Sequence, residues 1–271
     1  NAFVSKTENA GTASEPVKTP LFKSINHQAS GDTWAFSIRN RSSRTHTVDG
    51  LEEIKAAKLI EKEHSTHTLP APENSSRAFT PILGANFEAN WSILVSPPDN
   101  TMAISDLNFI VTANNDGIEY YSATGLRLYF DFWPDFFDEG SLTSIFFDPK
   151  VIYDSGSDRF ILIVVFGSSS ITSKVLTCFS KTNNPMDGWW VYALSGNPLL
   201  NNCWFDYPSP GVSNNEVYIT GNLYNNSSQF QQAIILQIPK AAGFEGDTLD
   251  WQYWIDLGTP PFKGFGLVPA S

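Results

Sequence analysis

The sequence has 271 residues, enough for one large or two ordinary domains with a sizeable core, and a formal net charge of −11 from 17 basic and 28 acidic residues. This balance, without any cluster of basic side chains, argues against a nucleic-acid partner and against docking on anionic lipid. The 20 Phe, nine Tyr and eight Trp favour a protein built from β-sheets, and no apolar run approaches the roughly 20 residues that insert across a bilayer.

Residues 1–84 are predicted to form an N-terminal extension that differs from the rest of the chain. Thr33–Arg39 alternates apolar and polar residues, which predicts an early strand. Asp49 begins a capping-box pattern that predicts a helix from there to about Glu63. The segment Thr66–Arg77 is rich in Pro, Ser and Thr and is predicted to be a linker.

From residue 85 onwards the sequence repeats a unit of four short strands separated by turn residues. The units cover about 91–140, 147–196 and 204–257, and residues 260–271 are expected to begin another. The predicted strands are Met102–Ile104, Asn108–Ala113, Ile118–Ser122 and Arg127–Trp133 in the first unit, Val151–Tyr153, Arg159–Gly167, Ser173–Lys181 and Trp189–Leu194 in the second, and Gly211–Val212, Glu216–Leu223, Gln231–Pro239 and Asp250–Ile255 in the third.

Four strands in every 50 to 60 residues or so, without helices between them, are typical of the blades of a β-propeller. We therefore predict an all-β fold with about three four-stranded blades. Rings typically close with about four to eight blades, so we expect these three to belong to a larger ring. The alternative is a small four-bladed ring to which residues 1–90 contribute strands.

Each unit begins with Asp and Pro residues just before its first predicted strand. The aspartates are Asp99, Asp148 and Asp206. If the first strand of each blade lines a central channel, these carboxylates converge near its axis, where they could hold Ca²⁺ or orient a polar ligand. The alternative is that each Asp accepts hydrogen bonds from a nearby turn and fixes the entry into the strand.

A second group of acidic residues lies among aromatic rings. Trp133, Asp135, Asp138 and Glu139 form a possible carbohydrate-contact loop, because aromatic rings stack on sugars and carboxylates bind their hydroxyls. The alternative is a loop whose rings pack into the core while the acids face water. Trp204 and Tyr207 are both predicted to pack between blades.

The two cysteines, Cys178 and Cys203, do not make a disulfide framework. One bridge between them is possible, and two buried free thiols are the alternative. The chain shows no nucleophile elbow, phosphate loop or dinucleotide fingerprint, so it has no recognisable catalytic signature.

Several motifs recur in order along the repeated units: Phe147–Asp154, Asp158–Phe160, Phe179–Thr182, Trp204–Pro208 and Tyr218–Gly221. These motifs resemble those of large exported β-propeller proteins of Bacteroidetes. Many such proteins carry a C-terminal type IX secretion sorting domain, which is not recognisable in this chain. The resemblance implies a secreted or cell-surface protein, and the start at Asn1 is what a processed N-terminus or a trimmed chain has.

The resemblance also implies two further features. Asp247–Leu249 is similar to the short acceptor of O-linked sugars in these bacteria, with Thr248 as the candidate site. The function expected is binding or adhesion to a surface glycan or protein. The alternatives are a polysaccharide-active enzyme that uses the channel carboxylates, and a cargo or accessory subunit bound to outer-membrane secretion or gliding machinery.

Overall fold

The computed structural model describes residues 11–27, 85–90, 92, 96–258 and 264–269. The strand predicted at Thr33–Arg39, the helix predicted to begin at Asp49 and the predicted linker lie outside these residues. The described strands are β1 (Thr12–Ala13), β2 (Val17–Thr19), β3 (Lys23–Ile25), β4 (Thr101–Ile104), β5 (Ile110–Ala113), β6 (Gly117–Tyr121), β7 (Arg127–Phe132), β8 (Phe146–Asp154), β9 (Arg159–Phe166), β10 (Lys174–Ser180), β11 (Trp189–Ser195), β12 (Cys203–Val212), β13 (Glu216–Asn225), β14 (Phe230–Pro239) and β15 (Leu249–Ile255).

Three antiparallel sheets follow one another along the chain. Sheet 1 has the strand order β4-β5-β6-β7, sheet 2 contains β8-β9-β10-β11, and sheet 3 contains β12-β13-β14-β15. Each set of four strands comes from one predicted unit, so neighbouring strands in a sheet are also neighbours in sequence. The prediction of an all-β fold is confirmed.

The innermost strands of sheets 2 and 3 are longer than predicted. β8 begins at Phe146 and β12 at Cys203, ahead of the Pro residues expected to precede each strand. The pairing register shifts between Phe147 and Lys150 in β8, and between Asp206 and Ser209 in β12. A β-bulge leaves one residue out of the ladder, which is why Pro149 and Pro208 are tolerated within these strands.

The sheets are stacked face to face, with sheet 2 in the middle. The side chains of β9 alternate between its two faces: Phe160, Leu162 and Val164 join the apolar layer shared with sheet 1, and Ile161, Ile163 and Val165 join the layer shared with sheet 3. All six are fully buried. Because both faces of sheet 2 are covered, β9 is an unbroken apolar run. The inner strands β4, β8 and β12 are neighbours in space.

Residues 11–27 form a strap along the outer edges of the sheets. β1 and β2 both pair with β15 of sheet 3, and β3 pairs with β11 of sheet 2. At the end of the strap, the ring of His27 lies against that of Tyr129 in sheet 1, with 4.3 Å between ring centroids. The sequence predicted a separate extension here and none of these three strands. Strands of two or three residues are too short to show an alternation of apolar and polar side chains.

Residues 264–269 lie on the face of sheet 3 that points away from sheet 2. The hydroxyl of Thr220 donates to the carbonyl of Leu267 at 2.5 Å. The N–H of Gly266 donates to Oδ1 of Asn222 at 3.2 Å. The segment therefore adds a layer to the stack at the place where a further unit was expected to begin.

Two short α-helices interrupt the strands in the described part of the chain: α1 (Trp133–Phe137), between sheets 1 and 2, and α2 (Lys240–Glu245), between β14 and β15. A single 3₁₀ turn, Pro185–Asp187, lies between β10 and β11. Neither helix was predicted. Pro134 lies in the first turn of α1, a position that suits its missing N–H. No helix in the described part of the chain is long and apolar enough to cross a membrane.

The prediction of a disulfide is wrong, because Cys178 and Cys203 are both free and buried. The alternative of two buried free thiols describes them. Cys178 belongs to the apolar layer between sheets 1 and 2, and Cys203 to the layer between sheets 2 and 3. Sheet 2 thus separates the two thiols. Burial raises the pKa of both, so they behave as small apolar side chains.

Candidate functional site

The structure brings the three aspartates at the unit starts close together. The side chains of Asp148 and Asp99 are hydrogen-bonded. Burial raises the pKa of Asp148 to about 8, helped by the charges of Asp206 and Asp99, while Lys150 acts in the opposite direction. The raised pKa favours the protonated form of Asp148 at neutral pH.

Asn115 ties the first two inner strands together at this point. Its Nδ2 donates to Oδ2 of Asp99 at 2.6 Å and to the carbonyl of Pro97 at 2.9 Å. Its Oδ1 accepts the backbone N–H of Asp148 at 2.7 Å. Because Asn115 and Asp99 belong to sheet 1 and Asp148 to sheet 2, this buried side chain bridges two sheets. The sequence showed Asn115 only as part of a turn.

A left-handed backbone conformation recurs at the entry of each inner strand. The φ angles are 48° at Asp99, 49° at Asp148, 58° at Tyr207 and 60° at Gly266. These residues are 49, 59 and 59 positions apart. Asp99, Asp148 and Tyr207 are each followed, two positions later, by a residue that pairs with the second strand of its sheet. These paired residues are Thr101, Lys150 and Ser209. The first three residues are therefore equivalent, and Gly266 shares their conformation and spacing.

This equivalence corrects the prediction for Asp206. The residue equivalent to Asp99 and Asp148 is Tyr207, and Asp206 precedes it by one position. The left-handed conformation favours Gly, Asn and Asp, which explains Asp99, Asp148 and Gly266 but not Tyr207. A symmetric ring of carboxylates does not form at these entries.

The backbone N–H at three of the entries is bound by a side-chain oxygen. Asn115 binds that of Asp148 and Asn222 binds that of Gly266. These asparagines occupy equivalent positions, two residues after the partner of Thr101 in sheet 1 and of Ser209 in sheet 3. In sheet 2 this position is the apolar Val165. Oδ1 of Asp206 accepts the N–H of Tyr207 instead, at 2.9 Å. The alternative prediction, an Asp that fixes the strand entry, therefore describes Asp206.

Tyr207 is 54% exposed, so its predicted role as a packing aromatic is wrong. The ring lies at a β-bulge on the inner strand of sheet 3. Bulges often redirect a side chain beside a functional site, and bulky residues with positive φ are concentrated at such sites. Trp204 is buried, as predicted, and its indole N–H donates to the carbonyl of Asn225 at 3.0 Å.

The aromatic ring of the predicted carbohydrate-contact loop is not exposed, although stacking on a sugar would require this. Trp133 is buried in α1, and its indole N–H donates to the carbonyl of Asn114 at 2.9 Å. Asp135 and Asp138 face solvent, and Glu139 is half-buried. Because Trp133 cannot stack on a sugar, the prediction is wrong, and the alternative of buried rings with acids in water describes this loop.

A calcium site receives no support from the geometry. Among the described residues, no group of three or more His, Cys, Asp or Glu side chains is arranged to hold a metal ion. Thr248 is exposed between α2 and β15, and its O-glycosylation stays a prediction.

No family model matches the chain, and no curated protein matches it. Among solved structures, the chain is similar to the subtype N11 neuraminidase-like protein of the flat-faced bat strain H18N11 from Peru, with a TM-score of 0.37 and 12% identity. The match covers 56% of this chain and 36% of that one. The chain thus spans about a third of that protein, and so weak a likeness carries no argument about fold or function.

Proposed function

We propose that the chain is part of a secreted or cell-surface β-propeller that acts as a binding module. Three four-stranded sheets stacked in sequence order, with their inner strands adjacent, support a propeller. The left-handed residues at the strand entries support a repeated blade, and Gly266 supports a fourth blade that begins at residues 264–269.

The two ends of the stack also support a larger ring. Met102 and Ile104 alternate with Ala103, which packs towards sheet 2, so they lie on the opposite face of sheet 1. They are 69% and 47% exposed. At the other end, Phe265 and Val268 are also exposed. Further blades packed on both ends would cover these side chains.

The ligand that the site supports best is a surface glycan, bound beside Tyr207. An exposed ring can stack on the apolar face of a sugar, and nearby carboxyl groups can bind its hydroxyls. Asp206 directly precedes Tyr207 and is close enough to Asp148 to raise its pKa. The observation that carries the proposal is this exposed Tyr207, in a left-handed conformation, on the inner strand beside paired aspartates.

Glycan-array binding of the purified chain, followed by titration with the retained glycans, tests this proposal. We expect Tyr207→Ala to weaken binding at least about tenfold, since aromatic anchors dominate such contacts. Leu126→Ala is the control, because Leu126 is 65% exposed at the turn between β6 and β7. Equal binding by Tyr207→Ala and the unmodified chain, with both folded, would refute the site, and a lack of any retained glycan would refute the ligand class.

The separation of the paired aspartates does not fit the alternative of a polysaccharide-active enzyme. Glycoside hydrolases place their two carboxyl groups about 5 Å or about 6.5–9.5 Å apart. Asp99 and Asp148 are hydrogen-bonded to each other, which is closer than either arrangement. Association with secretion or gliding machinery stays a prediction. Protease shaving of intact producing cells tests the surface location, because a protein inside the cell would resist digestion.

A further inference from the structure

Three loops from two sheets meet at the end of the molecule where the inner strands begin. They are residues 167–173 between β9 and β10, residues 196–202 between β11 and β12, and residues 226–229 between β13 and β14. We call them the loop platform. The start of β8 pairs with the end of β9, which places the platform at the strand-entry end.

Asparagine side chains connect the three loops. Nδ2 of Asn197 donates to the carbonyls of Ser170 at 3.1 Å and of Asn201 at 2.7 Å. Oδ1 of Asn226 accepts the N–H of Ser170 at 2.9 Å. Nδ2 of Asn226 donates to Oδ1 of Asn202 at 2.6 Å. The platform is thus held in one arrangement before it meets a partner, which lowers the entropy cost of binding.

Two aliphatic side chains project from the platform. Ile171 and Leu200 are each 91% exposed, more than any other large apolar side chain among the described residues. Leu200 has a φ of 53°, and its N–H donates to the carbonyl of Asn197 at 3.1 Å. A bulky residue in this conformation is uncommon. Neither side chain packs into the core, so folding does not explain their apolar character.

The platform contains no charged residue, although the chain carries a net charge of −11. Two copies of so acidic a chain repel each other unless their facing surfaces are free of carboxylates. The platform meets that condition and adds two apolar side chains. Interfaces between protein subunits are likewise depleted in charge at their centre.

We infer that the loop platform is a contact surface for a second copy of this chain. In a two-fold contact, Ile171 of one copy faces Leu200 of the other, and the reverse pair forms at the same time. This pairing buries both projecting side chains without needing a preformed pocket. The inference goes beyond the proposed glycan site and does not depend on it.

Sedimentation velocity of the purified chain over a range of concentrations tests the inference. We expect a reversible monomer–dimer equilibrium that becomes tighter in high salt, because salt screens the repulsion between two acidic copies. Leu200→Glu and Ile171→Glu place charge in the contact and should each raise the dimer dissociation constant at least about tenfold. Both positions are exposed, so these variants should keep the melting temperature of the unmodified chain.

Two controls distinguish this surface from others. Leu126→Glu and Met102→Glu charge exposed apolar positions outside the platform and should leave the dimer unchanged. A chain that stays monomeric at every concentration would overturn the inference, as would loss of the dimer in Met102→Glu but not in Leu200→Glu. Co-flotation of the monomer with phosphatidylcholine vesicles, abolished by Leu200→Glu, would overturn it in favour of a lipid surface.

Discussion

The layer between sheets 1 and 2 and the layer between sheets 2 and 3 solve the same packing problem with different chemistry. The first is rich in aromatic rings, and the second consists mainly of branched aliphatic side chains. The first layer includes Tyr120, Trp133, Phe136, Phe137, Phe160, Phe166 and Trp189, and the second includes Ile161, Ile163, Val165, Val217, Ile219, Ile234, Leu236 and Ile238.

Their polar contacts differ as well. Sheets 1 and 2 are joined by Asn115 and by the hydrogen bond between the side chains of Asp99 and Asp148. Sheets 2 and 3 are joined by a buried ion pair, with Nζ of Lys240 2.6 Å from Oδ2 of Asp154. The comparison teaches that two layers of one stack can be linked by different polar contacts, an amide with a carboxyl pair in one and an ion pair in the other. This difference also makes the first layer sensitive to pH and the second to charge removal.

The largest effect is expected from Lys240→Met, which leaves Asp154 buried without its partner. Burial would raise the pKa of Asp154, but hydrogen bonds from Lys240 and Ser157 lower it. Losing the cation should reduce the free energy of unfolding by about 3–5 kcal/mol, measured by urea denaturation. Combining it with Asp154→Leu should restore much of the loss, whereas Lys18→Met on exposed β2 should change little. No loss in the single variant would contradict the role of the pair.

Asn115→Ala breaks the corresponding link in the first layer. It leaves the N–H of Asp148 and a carboxylate oxygen of Asp99 without this partner. We expect the free energy of unfolding to fall by about 2 kcal/mol. Thermal unfolding compared with Asn214→Ala, at an exposed turn between β12 and β13, measures the effect. Equal stability of the two variants would show that the bridge contributes nothing.

Asp148→Asn tests whether the layer between sheets 1 and 2 makes stability depend on pH. The folded chain keeps a proton on Asp148 from about pH 4 to about pH 8 while the unfolded chain loses it, so stability falls as the pH rises through this window. The variant lacks this decline. We expect it to match the unmodified chain near pH 4 and to become increasingly more stable than that chain as the pH rises to 9. Parallel curves of unfolding free energy against pH for the two chains would contradict the raised pKa of Asp148.

The smallest effect concerns the entry at Tyr207. Asp206→Ala removes the acceptor of its N–H and should cost about 1 kcal/mol. Adding Val165→Asn places an amide where Asn115 and Asn222 stand in the other sheets. The double variant should then be more stable than the sum of the two single effects predicts, as a double-mutant cycle measures. Strict additivity would mean that Asn at this position does not bind the entry N–H.

The strands of the repeated units could be predicted because their alternation and turn residues are local signals. Each of the 12 strands from β4 to β15 overlaps a predicted strand. The starts of β8 and β12 were missed because Pro149 and Pro208 normally argue against a strand, and only the bulge makes them compatible with one. α1 was missed although Pro134 is a helix-start signal, since the aromatic run around it favoured a strand.

The candidate site could be predicted only in part. The Asp residues at the unit starts pointed to the right place, because a repeat puts equivalent positions close together. The sequence could not show that Tyr207 is the equivalent of Asp148, since that depends on the register of β12 with β13. The roles of Asn115 and Asn222 depend on contacts between sheets, which no local pattern reports.

The strap of residues 11–27 affects how the outer rim of the molecule meets other chains. Without it, β11 and β15 would each present a row of unpaired N–H and C=O groups, which is a template for aggregation through strand pairing. The pairing of Thr12 with Ile255 joins distant parts of the chain. The edge of β15 is therefore shielded only once the first and last described strands of the fold have paired. Because the strap is synthesised first, β1 and β2 stay without their partner until β15 has emerged.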